Sequence, residues 1–367
     1  MNIAIFSPNQ NPYSETFIQA HKNYLIGNIF YYYGYGESIK LEYHPPLTSP
    51  FKYLSLKLYS KLLNKPQGFV FKTLVLKSLK EHEIDIILIE YGTHAHDLLP
   101  LIKVLSIPVV VHFHGYDASC KAYVANQSYY ADLFRLASKF IVVSKVMEKT
   151  MLSIGCPKDK LVYNVYGPRP EFKDVQPTFS KKQFVAIGRF TDKKAPYYTI
   201  LAFKDVLSKH PDAQLLMAGD GVLLNSCKNI VKHFGIETNV QFLGVINTSE
   251  FKQLLSESLA FVQHSITAEN GDMEGTPLAV LEASSSGLPV ISTIHSGIPD
   301  VIFHEDTGLL CKEHDVIMMT KHMLSLLDDV SLAQRLGTNG KMTIDEHFSM
   351  SKHIQNIQRI FTDIASC

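Results

Sequence analysis

Short apolar runs recur along this chain at the spacing of an alternating fold. In the first half they are "IAIF" (3–6), "DIILIE" (85–90), "PVVVHF" (108–113), "KFIVVS" (139–144) and "KLVYNV" (160–165). In the second they are "QFVAIG" (183–188), "AQLLMAG" (213–219), "VQFLG" (240–244), "LAFVQ" (259–263) and "PVIST" (289–293). None alternates polar with apolar residues, so each is expected to be a strand covered on both faces, as in a parallel sheet. Stretches of helical pattern separate them. Alternating β and α twice over predicts an α/β protein with two doubly wound domains and a cleft between them. The connection "YGPRPEFKDVQP" (166–177), with three prolines, is expected to be a linker. The pattern thus divides into a domain over 1–170, a second over 171–350, and a C-terminal helical segment over 351–367 that can dock back on the first domain.

Composition narrows this picture. A length of 367 residues favours two domains, and 35 basic against 35 acidic residues give no global pull towards nucleic acid. The five cysteines are scattered, odd in number and without CxxC spacing, which argues against a disulfide framework or a zinc site and for a reducing compartment. The N-terminal stretch "MNIAIFSPNQNPYSETF" lacks a basic region and an apolar core, so no signal peptide is expected. No apolar run approaches the roughly 20 residues of a spanning helix.

Candidate chemistry gathers at strand ends. In "EGTPLAVLE" two carboxylates, Glu274 and Glu282, flank a predicted helix start, with Thr276 as N-cap and Pro277 as first residue of a helix over 277–286. A helix N-terminus at the carboxyl edge of a sheet favours an anion, and Glu282 is a good acceptor for a vicinal diol such as a ribose. The same acids would also stabilise the helix dipole without any ligand, and the spacing alone does not decide between the two. "IGRFTDKKAP" puts Arg189 and Lys194 beyond Gly188, where a fork and a mobile charge could hold phosphate; a solvated basic loop is the other reading. Gly219, in "AGDG", permits close backbone approach. In "VHFHGYD", His112 and His114 point to one face, and His114 is expected to hydrogen-bond or polarise a ligand. A metal held by "HFH" or "HAH" (94–96) is conceivable, but no third ligand has helpful spacing.

Taken together these motifs resemble the retaining glycosyltransferases of family 4, which have the GT-B fold. The resemblance rests on Gly188-Arg189 with Lys194, Gly219-Asp220-Gly221, the two glutamates of "EGTPLAVLE", and "SGLPVIST". It extends through "HFHGYD", "VVSKVMEKTMLSIGCPKDKL" and "PYSETFI" to nearly the whole chain. "NGDMEGTPLAVLEASSSGLPVISTIHSGIPD" looks most like the branch that builds exopolysaccharide and lipopolysaccharide. The resemblance implies two Rossmann-like domains facing across a cleft, the first binding the acceptor and the second a nucleotide-diphosphate sugar, a UDP- or GDP-sugar, as co-substrate. Arg189 and Lys194 would hold the diphosphate, Glu282 the ribose, Glu274 the sugar, and the backbone of Gly275, Thr276, Pro277 and Leu278 would assist. His114 would meet the transferred sugar. A tyrosine-serine-glutamate triplet, expected over positions 12–14, would meet the acceptor, a glycan or a lipid-linked chain. Two departures stand out: "NQNPYSE" has no glycine pair at the first turn, and Ala195 stands where a glycine is common. No D-x-D triplet occurs, in keeping with fixed cations in place of a metal. The expected location is the cytoplasm, with a peripheral place on the inner face of the membrane as the further expectation.

Rival readings fit less well. "FSPNQNP" is not the glycine fingerprint of a nicotinamide dehydrogenase, and "GTNGKM" is not a P-loop. A sugar-nucleotide epimerase and a non-catalytic partner subunit remain the alternatives. Residues 51–80 hold seven lysines and no Asp or Glu. Lys57, Lys61 and Lys65 would share one face of a helix and Leu54, Leu58 and Leu62 another, with Pro66 and Gly68 dividing two helices. The segment is either a face for an anionic membrane or an ordinary surface helix.

Overall fold

The computed structural model describes every residue except 14, 67, 366 and 367. Backbone contacts divide it into two compact units. One comprises Met1–Val143, Met147–Asn164 and Ile354–Cys367; the other comprises Ser144–Val146 and Val165–His353.

The first unit is built on seven strands: β1 Asn2–Ser7, β2 Asn28–Tyr33, β3 Lys40–Leu41, β4 Ile86–Glu90, β5 Val109–His112, β6 Lys139–Val142 and β7 Leu161–Tyr163. Their order is β3-β2-β1-β4-β5-β6-β7, parallel throughout except for the β2–β3 pair. Every residue of β4 and β5 is buried, which is why these strands carry no polar alternation. The second unit has six strands: β8 Gln183–Ile187, β9 Gln214–Ala218, β10 Val240–Gly244, β11 Ala260–Gln263, β12 Val290–Thr293 and β13 Gly308–Cys311. They run parallel in the order β10-β9-β8-β11-β12-β13. In each unit the strand order reverses beside the first strand, and ligands of such sheets bind outside the carboxyl ends at that point.

Three strands escape the pattern of apolar runs. β2 reads "NIFYYY", aromatic rather than aliphatic and only partly buried; β3 is two residues long; β13 begins at a glycine. The proline-rich stretch 166–177 is not a bare linker. A short turn of helix over Pro170–Phe172 buries Phe172 completely, against Phe251 of the second unit. The lysine-rich segment does form two helices, Pro50–Leu62 and Phe69–Glu81. Lys65 lies past the end of the first, so it does not share a helical face with Lys57 and Lys61. Among the described residues, no helix is long and apolar enough to cross a membrane.

Candidate functional site

In the second unit the carboxyl end of β8 continues through Gly188 and Arg189 to Lys194. Gly188, Arg189, Lys194 and Gln263 line one small pocket. The Lys194 ammonium lies 3.2 Å from Glu274 Oε2 and 3.2 Å from Gln263 Oε1, and both ionic side chains are largely buried. Burial by itself would raise the Glu274 carboxyl; Lys194 and then Lys193 outweigh it and hold the group down at about 2. Burial pushes the Lys194 ammonium below its ordinary range while Glu274 pulls it back. The carboxylate's direction governs the pair near neutral pH, because an anion bounded by two cations stays ionised. Glu274 Oε1 is buried without a hydrogen-bond partner, an acceptor left unused beside the pocket.

The loop that carries Glu274 is tied at several points. Lys193 Nζ donates to Asp272 Oδ1 at 2.9 Å and to the Met273 carbonyl at 3.2 Å. The Glu274 amide donates to His295 Nε2 at 3.1 Å, and His295 Nδ1 donates to Glu313 Oε1 at 2.7 Å. Because Nε2 accepts from an amide, the His295 proton sits on Nδ1, facing the carboxylate. Gly297 lets this strap close: a Cβ there would stand 2.2 Å from Thr276 Oγ1 and 2.6 Å from the Gly275 carbonyl oxygen.

The helix after Glu274 differs from its predicted form. It spans Leu278–Ser285, not 277–286; Pro277 occupies the cap position in extended conformation, and no side chain caps it, so Thr276 is not the N-cap. The proline ring fixes φ in a range the cap position also tolerates, which is why the boundary slips by one residue. Glu282 is buried and accepts from Arg169 Nε at 2.6 Å, while Arg169 Nη1 donates to Thr248 Oγ1 and its guanidinium lies over the Phe172 ring. Burial raises the Glu282 carboxyl more than Arg169 lowers it. Glu282 therefore belongs to a separate cluster from the Lys194–Glu274 pair. Gly219 serves the local backbone. With its φ at +128°, a Cβ there would stand 2.0 Å from the Gly188 carbonyl oxygen. Only glycine lets these two strand-end turns approach so closely.

In the first unit β4 and β5 end side by side at Glu90 and His112. Glu90 is completely buried and is met by three histidines: His21 Nδ1 at 2.6 Å, His114 Nε2 at 2.9 Å and His112 Nδ1 at 3.6 Å. No third ligand stands near "HFH" along the chain, but the fold brings other side chains to His112. His21, Glu90 and His112 offer ligand atoms within 4.8 Å of one another, a set that sequence distance conceals. His94 of "HAH" stays apart. Its ring meets Tyr35 edge-on, both its nitrogens are buried without a partner, and burial lowers it to about 4. The His114 ring lies between Phe17 and Tyr91, with centroids 4.5 and 4.6 Å away.

The acceptor triplet lies one residue further along than positions 12–14. Position 12 is Pro12, not a tyrosine, and the triplet is Tyr13, Ser14 and Glu15. Pro12 has a structural part instead: its carbonyl accepts from the Glu15 amide at 3.1 Å, which closes a turn just before the helix Thr16–Tyr24. Tyr13 is exposed, and Ser14 falls outside the described residues. Glu15 is half-buried; burial raises its carboxyl, against a hydrogen bond from Tyr91 and the charge of His114.

Sequence reasoning missed Arg169, Lys193, His295, Glu313, Glu90 and His21. Two carried a readable signal: Glu90 ends an otherwise apolar buried strand, and His295 follows "PVIST" at a strand end. Arg169 had none, sitting between two prolines in what looks like a linker.

Comparison with known proteins places the chain. A family model described as "Glycosyl transferases group 1" matches residues 169–343, and one described as "Glycosyltransferase Family 4" matches residues 29–164. The amylovoran biosynthesis glycosyltransferase AmsK of Erwinia amylovora is 30% identical over 260 residues, 69% of this chain and 64% of that protein. A provisionally named colanic acid biosynthesis glycosyltransferase of Escherichia coli K12, WcaL, is 27% identical over 242 residues, 64% of this chain and 55% of that protein. The chain thus spans between about half and two thirds of the length of these curated relatives. In structure it is similar to Anabaena Alr3699/HepE in complex with UDP-glucose, with a TM-score of 0.77 at 16% identity over 99% of this chain and 100% of that one. Two adjoining family models, matched to the two units in turn, and a fold shared over full length make this chain a member of glycosyltransferase family 4 with the GT-B architecture.

Proposed function

We propose that the chain transfers a sugar from a nucleotide-diphosphate sugar to a glycan or lipid-linked acceptor in the synthesis of a cell-surface polysaccharide, with retention at the anomeric carbon. One observation carries this reading: the buried Lys194–Glu274 pair, with Arg189 beside Lys194 and Glu274 Oε1 unpartnered. Two cations suit a diphosphate, and an unused carboxylate oxygen suits a sugar hydroxyl. The similarity to proteins named for amylovoran and colanic acid synthesis, and to a structure titled as a UDP-glucose complex, supports the donor class and the product class.

In the reaction the bond between the anomeric carbon and the phosphate oxygen breaks, and its electron pair stays on the phosphate. Arg189 and Lys194 stabilise that charge. A new bond forms from the acceptor hydroxyl to the anomeric carbon on the same face, and the hydroxyl proton passes to the leaving phosphate. No metal is required. Glu274 aligns the sugar, Glu282 binds the ribose hydroxyls with Arg169 fixing its carboxylate, and Gly188, Gly219 and the backbone of Gly275, Thr276, Pro277 and Leu278 shape the donor site. On the acceptor unit, His114 meets the substrate, and Tyr13, Ser14 and Glu15 bind the acceptor.

The test is a panel of UDP- and GDP-sugars read by melting-temperature shift, followed by nucleotide release with and without lipid extract. Release that needs the extract supports transfer. Release or isomerisation of the donor without acceptor favours an epimerase, and no binding of any nucleotide sugar favours a non-catalytic subunit. Arg189→Ala is expected to cost roughly 2–4 kcal/mol of transition-state stabilisation, read from kcat/KM.

The same proposal puts the chain at a membrane surface. The helix Pro50–Leu62 buries none of its residues, and Phe51, Leu54, Leu58 and Leu62 are exposed. Lys52 and Lys61 flank this apolar stripe, while Lys57 is shared with Glu37 at 3.5 Å. A basic amphipathic helix gains about 1 kcal/mol per lysine near anionic lipid. Flotation with phosphatidylserine vesicles is expected to be salt-sensitive and lost in Leu58→Glu; indifference to lipid charge would refute it.

A further inference from the structure

We propose that Glu90 is the positioning residue of His114: its buried carboxylate bridges His114 and His21 and fixes Nε2 as the nitrogen of His114 that carries the proton. The inference rests on the reading that His114 meets the substrate, and it gives a role to a group that reading does not use.

The geometry is that of a carboxylate with both oxygens engaged. Oε1 lies 2.6 Å from His21 Nδ1, and Oε2 lies 2.9 Å from His114 Nε2. Glu90 is the last residue of β4, between β1 and β5, and has no exposed surface. A carboxylate taken out of water at such a place must be met by donors. An ionised carboxylate only accepts, so each histidine has to turn an N–H towards it. For His21 that nitrogen is Nδ1; for His114 it is Nε2. Burial works against the Glu90 charge, and the charges and hydrogen bonds of His21 and His114 overcome it, holding the group at about 2.

Position follows from the same contacts. The His114 amide and the Gly115 amide both donate to Asp117 Oδ1 at 2.9 Å, which anchors the backbone at the end of β5. Phe17 and Tyr91 flank the ring, and Glu90 pins one of its edges. A ring held by backbone, both flanks and one nitrogen has a single orientation. Proton placement on a histidine is set by the partner of its other nitrogen, and a fixed acceptor removes the choice. His21, on the helix Thr16–Tyr24, holds the opposite carboxylate oxygen and keeps the bridge from rotating.

The experiment is 15N NMR of the full chain labelled at its histidine rings, with the His114 signals assigned by their loss in His114→Asn. The expected result is an Nε2-protonated signature for His114 in the wild type. In Glu90→Gln that signature is expected to give way to a mixture, because the amide can accept from one histidine and must donate to the other. With the donor and acceptor pair that gives wild-type turnover, Glu90→Gln should lower kcat about 10–100-fold, the range found when the hydrogen-bond partner of a metal-ligating histidine is lost. Donor KM and UDP affinity should change less than about twofold, since the histidines that meet Glu90 belong to the first unit and the donor residues Arg189, Lys194, Glu274 and Glu282 to the second. Glu90→Asp, which keeps the charge, should recover part of kcat. An Nδ1-protonated His114 in the wild type overturns the proposal without any Glu90 variant. So does an unaltered His114 signature in Glu90→Gln. Stoichiometric zinc in the purified protein, lost in His21→Ala, also overturns it, for Glu90 would then be a ligand. Full turnover in His114→Ala instead refutes the role of His114 in the reaction, whatever the NMR signature, so the two failures are told apart.

Discussion

Replacing Lys194 by methionine should cost far more stability than removing a surface lysine. The Lys194 nitrogen lies 3.2 Å from Glu274 Oε2, and the two side chains are 15% and 10% exposed. At an effective dielectric of about 20, charges at that separation attract by about 5 kcal/mol. Desolvation of both ions offsets much of this, so the pair itself contributes little net stability. The asymmetry appears when one partner goes. Lys194→Met strands the Glu274 carboxylate in a buried site, with Oε1 already unpartnered. Breaking such a pair costs about 3–5 kcal/mol. For a unit of this size that is a drop in Tm of about 6–20 °C. Glu274→Gln should cost somewhat less, because Lys194 keeps Gln263 Oε1 at 3.2 Å. The double variant removes both charges and should return to within about 2 kcal/mol of the wild type. Calorimetry of the full chain, with urea unfolding for the free energies, closes the cycle. If the two single losses simply add in the double variant, the pair is not coupled and the site is not the buried ion pair described. Sugar transfer should be lost in all three variants even where stability returns, which separates the structural cost from the chemical one.

Four further outcomes follow from the same geometry. Glu282→Gln should weaken UDP or GDP binding with a smaller loss of Tm than Glu274→Gln, since burial disfavours the Glu282 charge and the amide oxygen can still accept from Arg169 Nε; isothermal titration and calorimetry read both, and a large loss of Tm with intact affinity would contradict it. Glu274→Gln should spare the bare nucleotide and impair use of the nucleotide sugar; equal losses of bare-nucleotide affinity in the two variants would mean the roles are wrongly divided. His295→Ala removes the acceptor of the Glu274 amide and should cost about 1–3 kcal/mol of stability, with kcat/KM for the nucleotide sugar falling more than UDP affinity. Acid should unfold the chain steeply: Glu90 and Glu274 are held at about 2 against an ordinary 4.5, so the stability that their ionisation adds is complete above pH 4.5 and is lost as pH falls towards 2; relative to its protonated form each carboxylate is worth on the order of 3 kcal/mol, and a Glu274→Gln variant whose acid transition matches the wild type would refute this.

Ten of the thirteen strands are visible as apolar runs because both faces of these sheets are covered, which removes polar residues from the strand interiors. The three missed strands are those for which that condition fails. β2 lies inside its sheet but fills its positions with tyrosines, whose rings bury while their hydroxyls find partners: Tyr32 shares a hydrogen bond with Ser78 at 2.9 Å, and Tyr31 donates to the Asn9 carbonyl at 2.7 Å. β3 is too short to show a period, and β13 opens on the glycine needed where a Cβ would stand 2.5 Å from the Val290 carbonyl oxygen. A periodicity argument reads the solvent a strand avoids, not the partner it has.

The site divides along the same line. Arg189, Lys194, Glu274 and Glu282 could be named from sequence because each falls within a few residues of a strand end or a helix start, where local geometry constrains what a side chain can do. Their partners could not. Lys194 finds Glu274 because β8 and β11 are neighbours in the sheet, although 80 residues part them in the chain. His295 reaches the Glu274 amide because β12 lies beside β11. Glu90 meets His21 across 69 residues because β4 lies beside β1. In each case the order of strands, rather than any spacing along the chain, makes the contact. That order also favours the charged forms, since cations and imidazoles on the segments that follow neighbouring strands hold Glu274 and Glu90 low against their burial. A carboxylate legible as a motif is therefore an address. What the group does there, whether it binds, stays charged or holds another residue still, is set by the strand next door.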